Sequence, residues 1–274
     1  MNTENLNKLL HPVCNIAIES GLIINTYYKS NNDISFKSDR SPLTQADLAS
    51  NKFIINSLSE LNADIPILSE ESLVDWDVRK NWSRSWLVDP LDGTKEFINQ
   101  RAEFTVNIAF IHGGIAEAGV VHVPVSGQTY MGRSDTGAWR ASRGGPYQQI
   151  GSKPLDSTQV IKVVASRSHR GELLDRVMNA IETELNRVEV VNMGSSLKIC
   201  LLAEGSADIY PRFAPTSEWD TAAGHAVLSA AGGEIYDTEF RPLRYNQKDS
   251  ILNPFFIGIA DTAYDWKEVL ISAF

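Results

Sequence analysis

The chain has few cysteines, Cys14 and Cys200 alone among 274 residues. Two thiols cannot form a zinc cluster by themselves. Both sit in apolar stretches that look helical, and they read as core thiols of a reducing compartment. Long hydrophobic runs are also missing: none reaches the ~18 residues that a membrane helix needs. The opening stretch, MNTENLNKLLHPVCNIAIES, has one early Lys and polar breaks, which does not read as a signal peptide. Basic charge is in deficit, with 25 Lys+Arg against 34 Asp+Glu and a net charge of -9. That is the wrong sign for generic DNA or RNA binding, which needs a basic face. The five histidines, His11, His112, His122, His169 and His225, show neither HExxH nor H-x-H spacing. No G-x-x-x-x-G-K-[ST], G-x-G-x-x-G or G-x-S-x-G stretch occurs, so ATP cradling, dinucleotide cradling and a nucleophile elbow are not indicated.

What is present is ordinary in bulk. Hydrophobic residues make up 43%, charged residues 22% and aromatics 9%, which excludes a disordered chain, a collagen and a coiled coil. A chain of this size buries about three quarters of its unfolded surface, so it needs no disulfide or structural metal. Apolar residues at Leu6, Leu9, Leu10, Val13, Ile16, Ala17, Ile23 and Ile24 have helical spacing and predict one long helix over 5–28. Ile34 to Lys37 reads as a short strand. Thr44 caps a second helix carrying Leu48, Phe53, Ile54, Leu58 and Leu61. Ile65 to Leu68 and Trp86 to Val88 read as strands, and the second runs into Asp89-Pro90-Leu91-Asp92-Gly93-Thr94.

From Phe104 to Arg140 β-rich runs alternate with turn signals at Gly113-Gly114 and Pro124-Val125-Ser126, predicting an antiparallel meander. Gly151 to Gln159 is a polar junction. Beyond it strands (Ile161–Ala165, Arg187–Val191, Asp208–Tyr210, Phe255–Ile259) alternate with helices (Glu172–Glu184, Ser196–Glu204, Trp219–Ala231, Tyr264–Ser272), the pattern of an α/β unit. The division predicted is an N-terminal α+β half, 1–155, and a C-terminal α/β half, 156–274. No internal repeat or long linker is found.

Four segments carry chemistry. In Asp89-Pro90-Leu91-Asp92-Gly93-Thr94, Pro90 fixes its own φ and Gly93 permits a sharp turn. Such a turn can aim two carboxylates and a carbonyl at one point, and oxygen-only ligands select hard cations such as Mg²⁺, Mn²⁺ or Ca²⁺. The bland alternative is an Asp-rich β-turn. Glu70-Glu71 follows a strand, and two adjacent acids there are either a solvated loop or half of a cation site. Asp220, in Glu218-Trp219-Asp220, and Asp47, in Thr44-Gln45-Ala46-Asp47, each open a helix. Capping explains them equally well. Taken together, Asp47, Glu70, Asp89, Asp92 and Asp220 make a polynuclear site reasonable, with metals about 3.5–4 Å apart that activate water and stabilise a leaving oxygen.

In order and spacing these segments resemble the Mg²⁺-dependent, lithium-sensitive phosphatases of the inositol monophosphatase superfamily. That pattern is an Asp, then Glu-Glu, then D-P-[IL]-D-[GS]-T, then Trp-Asp, and here it spans Asp47 to Gly233. The resemblance implies the layered αβαβα sandwich of the inositol monophosphatase and fructose-1,6-bisphosphatase type. It places metal ligands at Glu70, Asp89, the Leu91 carbonyl, Asp92 and Asp220, for two or three Mg²⁺ ions. It has Thr94 and Asp47 orient the attacking water with Glu70 at the catalytic centre, Glu71 behind the ligands or as an outer metal ligand, Glu218 behind the ligands, and Gly93 and Thr94 against the scissile phosphate.

Three more segments, Ser166-Arg167-Ser168-His169, Gly194-Ser195-Ser196-Leu197-Lys198 and the run YPRFAPTSEWDTAA from Tyr210 to Ala223, resemble the bacterial branch that acts on 3'(2'),5'-bisphosphate nucleotides. By that resemblance His169, Ser195, Lys198 and Arg212 contact the sugar, base or second phosphate, and Asp220 also faces the substrate. Lys and Arg suit the extra charge of a bisphosphate, and a Gly-Ser-Ser turn opening a helix offers backbone N–H groups to an anion. The implied activity is hydrolysis of adenosine 3',5'-bisphosphate to AMP and phosphate, a step in sulfur metabolism. The readings weighed against it are an inositol-1-phosphate or sugar-phosphate phosphatase and a non-catalytic nucleotide-binding regulator. The expectations that complete the picture are a cytoplasmic protein and no nucleic-acid partner or integral membrane segment, with peripheral attachment to the inner membrane face left open and the oligomeric state not readable, a homodimer being common in the superfamily.

Overall fold

A computed structural model describes residues 3–28, 34–36, 42–165, 171–185 and 187–274. The long helix expected at the start is α1 (Thr3–Tyr27), and it continues through Pro12. A small antiparallel pair, β1 (Ile34–Phe36) and β2 (Pro42–Thr44), leads into α2 (Gln45–Leu61). Then come β3 (Ile67–Ser69), the short α3 (Trp76–Arg79), β4 (Arg84–Asp92) and the short α4 (Thr94–Ile98). The meander follows as β5 (Thr105–His112), β6 (Ile115–Val123), β7 (Gln128–Arg133), β8 (Gly137–Ala141) and β9 (Gln148–Ile150). The rest of the chain is β10 (Ile161–Ala165), α5 (Glu172–Glu184), β11 (Val188–Asn192), α6 (Leu197–Ala203), β12 (Ile209–Arg212), α7 (Glu218–Ala231), β13 (Glu234–Asp237), β14 (Phe256–Ile259) and α8 (Trp266–Leu270).

Two sheets organise the described residues. The seven-stranded one has the order β3-β4-β5-β6-β7-β8-β9, antiparallel apart from the β3/β4 pair. The five-stranded one has the order β11-β10-β12-β14-β13. It is parallel across β11, β10 and β12 but antiparallel where β14 meets β12 and β13. One strand, β14, therefore runs against the other four. Strand β13, only four residues long, carries too little periodicity to be seen in sequence.

Helices α1 and α2 lie on one face of the larger sheet, α6 and α7 lie between the sheets, and α5 and α8 cover the far face of the smaller one. Three clusters of buried apolar side chains match this layering. One joins α1 and α2 to the large sheet, one surrounds α6 and α7, and one lies under α5 and α8. This is the αβαβα sandwich. The central cluster draws Leu87, Ala109 and Val121 from the first sheet and Tyr210, Ile235 and Phe256 from the second. The two sheets therefore share one core and are not separately filled.

How closely α7 approaches the large sheet depends on glycine. A methyl group on Gly132 would stand 2.6 Å from the Val227 Cα, and one on Gly119 would run into the Ala223 carbonyl. Those contacts set the height of α7, and its first turn holds Asp220.

Candidate active site

The site begins in an irregularity of β4. Asp89 pairs with Asn107 and Asp92 with Thr105 on β5, so three steps along one strand face two along the other. One residue is extra, which makes this a bulge, a device that re-aims side chains and is common beside active sites. Pro90, which has no N–H to donate, sits inside it. The strand therefore continues through Asp92 and does not stop at Val88 as its apolar run suggested. Buried layers on both sides of the sheet explain that apolar run. Ser50 Oγ donates to the Pro90 carbonyl at 2.7 Å and Leu91 N–H donates to Asp89 Oδ1 at 3.0 Å, fixing the loop. Gly93, at φ 92, then turns the chain into α4.

Two helix starts bring in two more acids. Thr44 N–H and Oγ1–H donate to Asp47 Oδ2 at 2.8 and 2.6 Å, and the Thr94 hydroxyl donates to Asp47 Oδ1 at 3.2 Å. That hydroxyl also lies 3.3 Å from the Leu91 carbonyl. At α7, Ser217 N–H donates to Asp220 Oδ2 at 2.9 Å. Capping and site chemistry were alternatives in sequence. In space the cap uses Oδ2 of each carboxylate and leaves Oδ1 for the site.

Glu70, Asp89, Leu91, Asp92, Gly93, Thr94 and Asp220 all line one cavity. Burial and the nearby charges of Glu70, Asp92 and Asp220 push the Asp89 carboxyl well above the usual carboxylate range. Asp220 is pushed up by burial, Asp92 and Glu70. Asp92 is raised mainly by burial, against the lowering effect of Lys198 and of the Ser196 N–H. Four acids thus repel one another across one small volume, a donor set of hard oxygens that a divalent cation fits. Among the described residues no three of them close on a single point as a finished coordination shell.

The basic side differs from expectation. Two N–H groups of the turn before α6 are taken by carboxylates of the chain itself. Gly194 N–H donates to Glu103 Oε2 at 2.8 Å and Ser196 N–H to Asp92 Oδ2 at 2.5 Å. Ser195 is held at φ 48, a left-handed conformation that costs a side-chain-bearing residue about 1–3 kcal/mol. The turn is a cradle for Asp92, joined by Asn107 Nδ2 at 3.3 Å. Lys198 Nζ donates to the Ser195 carbonyl at 2.6 Å and lies over the Tyr210 ring, and burial lowers its pKa to about 8.

A second cavity adjoins the first. It shares Asp92, Gly93 and Asp220 with it and adds Ser195, Lys198, Tyr210 and Phe256. Arg212 lines both cavities. Its Nη2 donates to the Pro215 carbonyl at 3.3 Å, while its Nε is buried with no hydrogen-bond partner among the described residues.

Three sequence candidates lie off the cavity walls. Asp47, Glu71 and Glu218 line neither cavity, and Asp47 meets the site through the Thr94 hydroxyl. Glu218 is buried and accepts from Asn246 N–H at 2.7 Å, so it anchors the 244–253 loop behind α7. His169 lies outside the described residues. Thr105, Asn107 and Thr216 were not foreseen. Thr105 and Asn107 share one face of β5, and no motif marks a strand's period-2 neighbours.

Comparison with known proteins agrees with this geometry. The model of the inositol monophosphatase family matches residues 5–274. The chain belongs to the inositol monophosphatase family. It is 44% identical over 250 residues to the 3'(2'),5'-bisphosphate nucleotidase CysQ of Escherichia coli strain K12, covering 90% of this chain and 98% of that protein. It is 39% identical to the protein of the same name from Buchnera aphidicola, over 92% and 94% of the two chains. The crystal structure of CysQ from Bacteroides thetaiotaomicron superposes with a TM-score of 0.81 at 40% identity, over 91% of this chain and 97% of that one. An inositol monophosphatase from Thermotoga maritima, at 20% identity and a TM-score of 0.76, shares the fold. Enzymes of this family are generally metal-dependent. No described helix is long and apolar enough to cross a membrane, and peripheral attachment finds no support in the comparisons.

Proposed function

We propose that the chain is a Mg²⁺-dependent 3'(2'),5'-bisphosphate nucleotidase that hydrolyses adenosine 3',5'-bisphosphate to AMP and phosphate. The observation that carries this reading is Arg212. A half-buried guanidinium whose Nε has no hydrogen-bond partner among the described residues is suited to an anion. It stands where the acidic cavity opens into the second one, with Lys198 beyond. A substrate with one phosphate at the acids and a second toward Arg212 and Lys198 uses both cavities. The relatives named 3'(2'),5'-bisphosphate nucleotidase, at 43–44% identity over 90% of the chain, support the same substrate.

In this reading Glu70, Asp89, Asp92, Asp220 and the Leu91 carbonyl hold two or three Mg²⁺ ions. Bound there, the ions supply an acidified water and neutralise charge on the phosphoryl oxygens. The Thr94 hydroxyl, which donates to Asp47 and lines the cavity, would accept a hydrogen bond from the attacking water. Asp47 takes up the proton that passes through Thr94. The P–O bond to the ribose 3'-oxygen breaks, and that oxygen leaves with a proton from solvent. Gly93 and Thr94 lie against the scissile phosphate, while Ser195, Lys198 and Arg212 hold the remainder of the nucleotide. The free, buried cysteines suit a reducing compartment such as the cytoplasm.

The test is phosphate release from adenosine 3',5'-bisphosphate and from inositol 1-phosphate, side by side, in Mg²⁺ and then in EDTA. Preference for the nucleotide, lost in EDTA, is the expected result. Preference for inositol 1-phosphate would overturn the substrate assignment, and release that persists in EDTA would overturn the metal.

A further inference from the structure

One carboxylate in the pocket has no task in the scheme above. Glu96, on α4, lines both cavities and is half-buried. A methyl group on Gly93 would lie 3.4 Å from its Oε2, and one on Gly194 would lie 3.0 Å from its Cγ. The side chain is thus lodged between the two loops that frame the pocket. Its neighbour Glu103 is occupied by the Gly194 N–H, but the Glu96 carboxylate has no hydrogen-bond or ion-pair partner among the described residues. The chief charges acting on Asp89, Asp92 and Asp220 are one another's, Glu70's, Lys198's and Arg212's, and Glu96 is not among them. It stands apart from the acids assigned to the cations, although its charge acts on Lys198.

A carboxylate only accepts hydrogen bonds, and it repels phosphate. The charged groups of a nucleoside bisphosphate are anionic, so the part of such a substrate that sits against Glu96 must be an uncharged donor. A nucleoside bisphosphate offers two kinds, the ribose hydroxyl and the exocyclic amine of the base. We infer that Glu96 is a specificity-determining residue that accepts a hydrogen bond from an O–H or N–H donor of the nucleoside and turns the phosphates toward the acids and toward Arg212. This inference rests on the nucleotidase reading.

The experiment measures kcat/KM for adenosine, inosine and 2'-deoxyadenosine 3',5'-bisphosphates with wild type, Glu96→Gln and Glu96→Ala, together with the Mg²⁺ half-saturation of each. Inosine lacks the amine and deoxyadenosine lacks the hydroxyl. Wild type is expected to prefer adenosine over one of the two analogues by about tenfold, the scale of one hydrogen bond to a charged group. Glu96→Ala is expected to erase that preference, and which analogue gains identifies the donor. Glu96 is partly exposed on a short helix, so the variants should fold, and their melting temperatures check this. A wild type that discriminates against neither analogue, or variants that slow all three substrates equally, would overturn the inference alone. A shifted Mg²⁺ half-saturation with unchanged preferences would overturn it too, by making Glu96 part of the cation site. If wild type hydrolyses no 3',5'-bisphosphate, the nucleotidase reading itself fails.

Discussion

Replacing Asp92 with Asn separates the metal reading from a purely structural one. Asp92 accepts from Ser196 N–H and Asn107 Nδ2 through Oδ2, and an Asn side-chain oxygen can keep the first of these. The fold around β4 should survive. What is lost is one negative charge from a cluster whose members push each other's pKa values up. In EDTA at neutral pH the variant is therefore expected to melt within a degree or two of wild type, because lost repulsion offsets the lost attraction to Lys198. Added Mg²⁺ should divide the two. At a hundred times Kd a bound ligand contributes about 2.7 kcal/mol. With an unfolding entropy of about 2.1 cal/mol/K per residue, a chain of this length gains roughly 5 °C in Tm. Wild type should show that gain and Asp92→Asn only a small part of it, while phosphate release falls by about 10²-fold or more, the scale of removing one group that stabilises transition-state charge. Thermal unfolding with and without MgCl₂, followed by a phosphate assay on the same samples, reads both. Equal Mg²⁺ stabilisation of the two proteins, or near-normal turnover by the variant, would refute the assignment of Asp92 to the cation site.

Thr94→Val removes the hydroxyl between Asp47 and the Leu91 carbonyl. It should lower kcat by about 10²–10⁴-fold, the range of general acid–base assistance, with little change in KM, in steady-state kinetics on adenosine 3',5'-bisphosphate. Lys198→Ala should raise KM for the bisphosphate more than for a simple monophosphate, and equal effects would remove Lys198 from the second-phosphate site. Glu218 gives a pH signature. Burial lifts its pKa from 4.5 to about 7, so its contribution is fully present below the unfolded value and is lost as pH rises toward 7. Glu218→Gln should flatten Tm against pH across that window, and an unchanged profile would show that Glu218 is not the group titrating. Gly132→Ala places a methyl group 2.6 Å from the Val227 backbone. It should cost about 1–3 kcal/mol, as overpacking does, visible as a lower urea midpoint.

The parts of this molecule that sequence revealed are those that depend on local spacing. Helix α5 is found at Glu172–Glu184 as its periodicity predicts, and the meander follows its Gly and Pro turns. The five acids were visible because turn chemistry and capping chemistry place Asp and Glu at recognisable positions. What stayed hidden depends on partners distant in sequence. The bulge in β4 exists only against β5, 89 facing 107 and 92 facing 105. The role of the Gly194-Ser195-Ser196 turn depends on Asp92 and Glu103, roughly ninety to a hundred positions away. Read alone, the turn's N–H groups face an anion from outside. In the fold they face carboxylates of the chain itself.

That reversal bears on how the site is held ready. A cluster of four acids is costly to assemble, since each carboxylate loses water and meets like charge. The fold offsets the cost at one oxygen of each key residue. Asp47 and Asp220 each place Oδ2 on a helix cap, Asp92 places Oδ2 on the turn before α6, and Asp89 places Oδ1 on the Leu91 N–H. Each bond fixes the rotation of a carboxylate, and in Asp47 the second oxygen accepts from the Thr94 hydroxyl. Helix capping, strand bulge and strained turn are therefore parts of one device that orients acids against their mutual repulsion. The strain at Ser195 belongs to it, because the residue held at φ 48 lies between the two N–H groups, of Gly194 and Ser196, that reach Glu103 and Asp92.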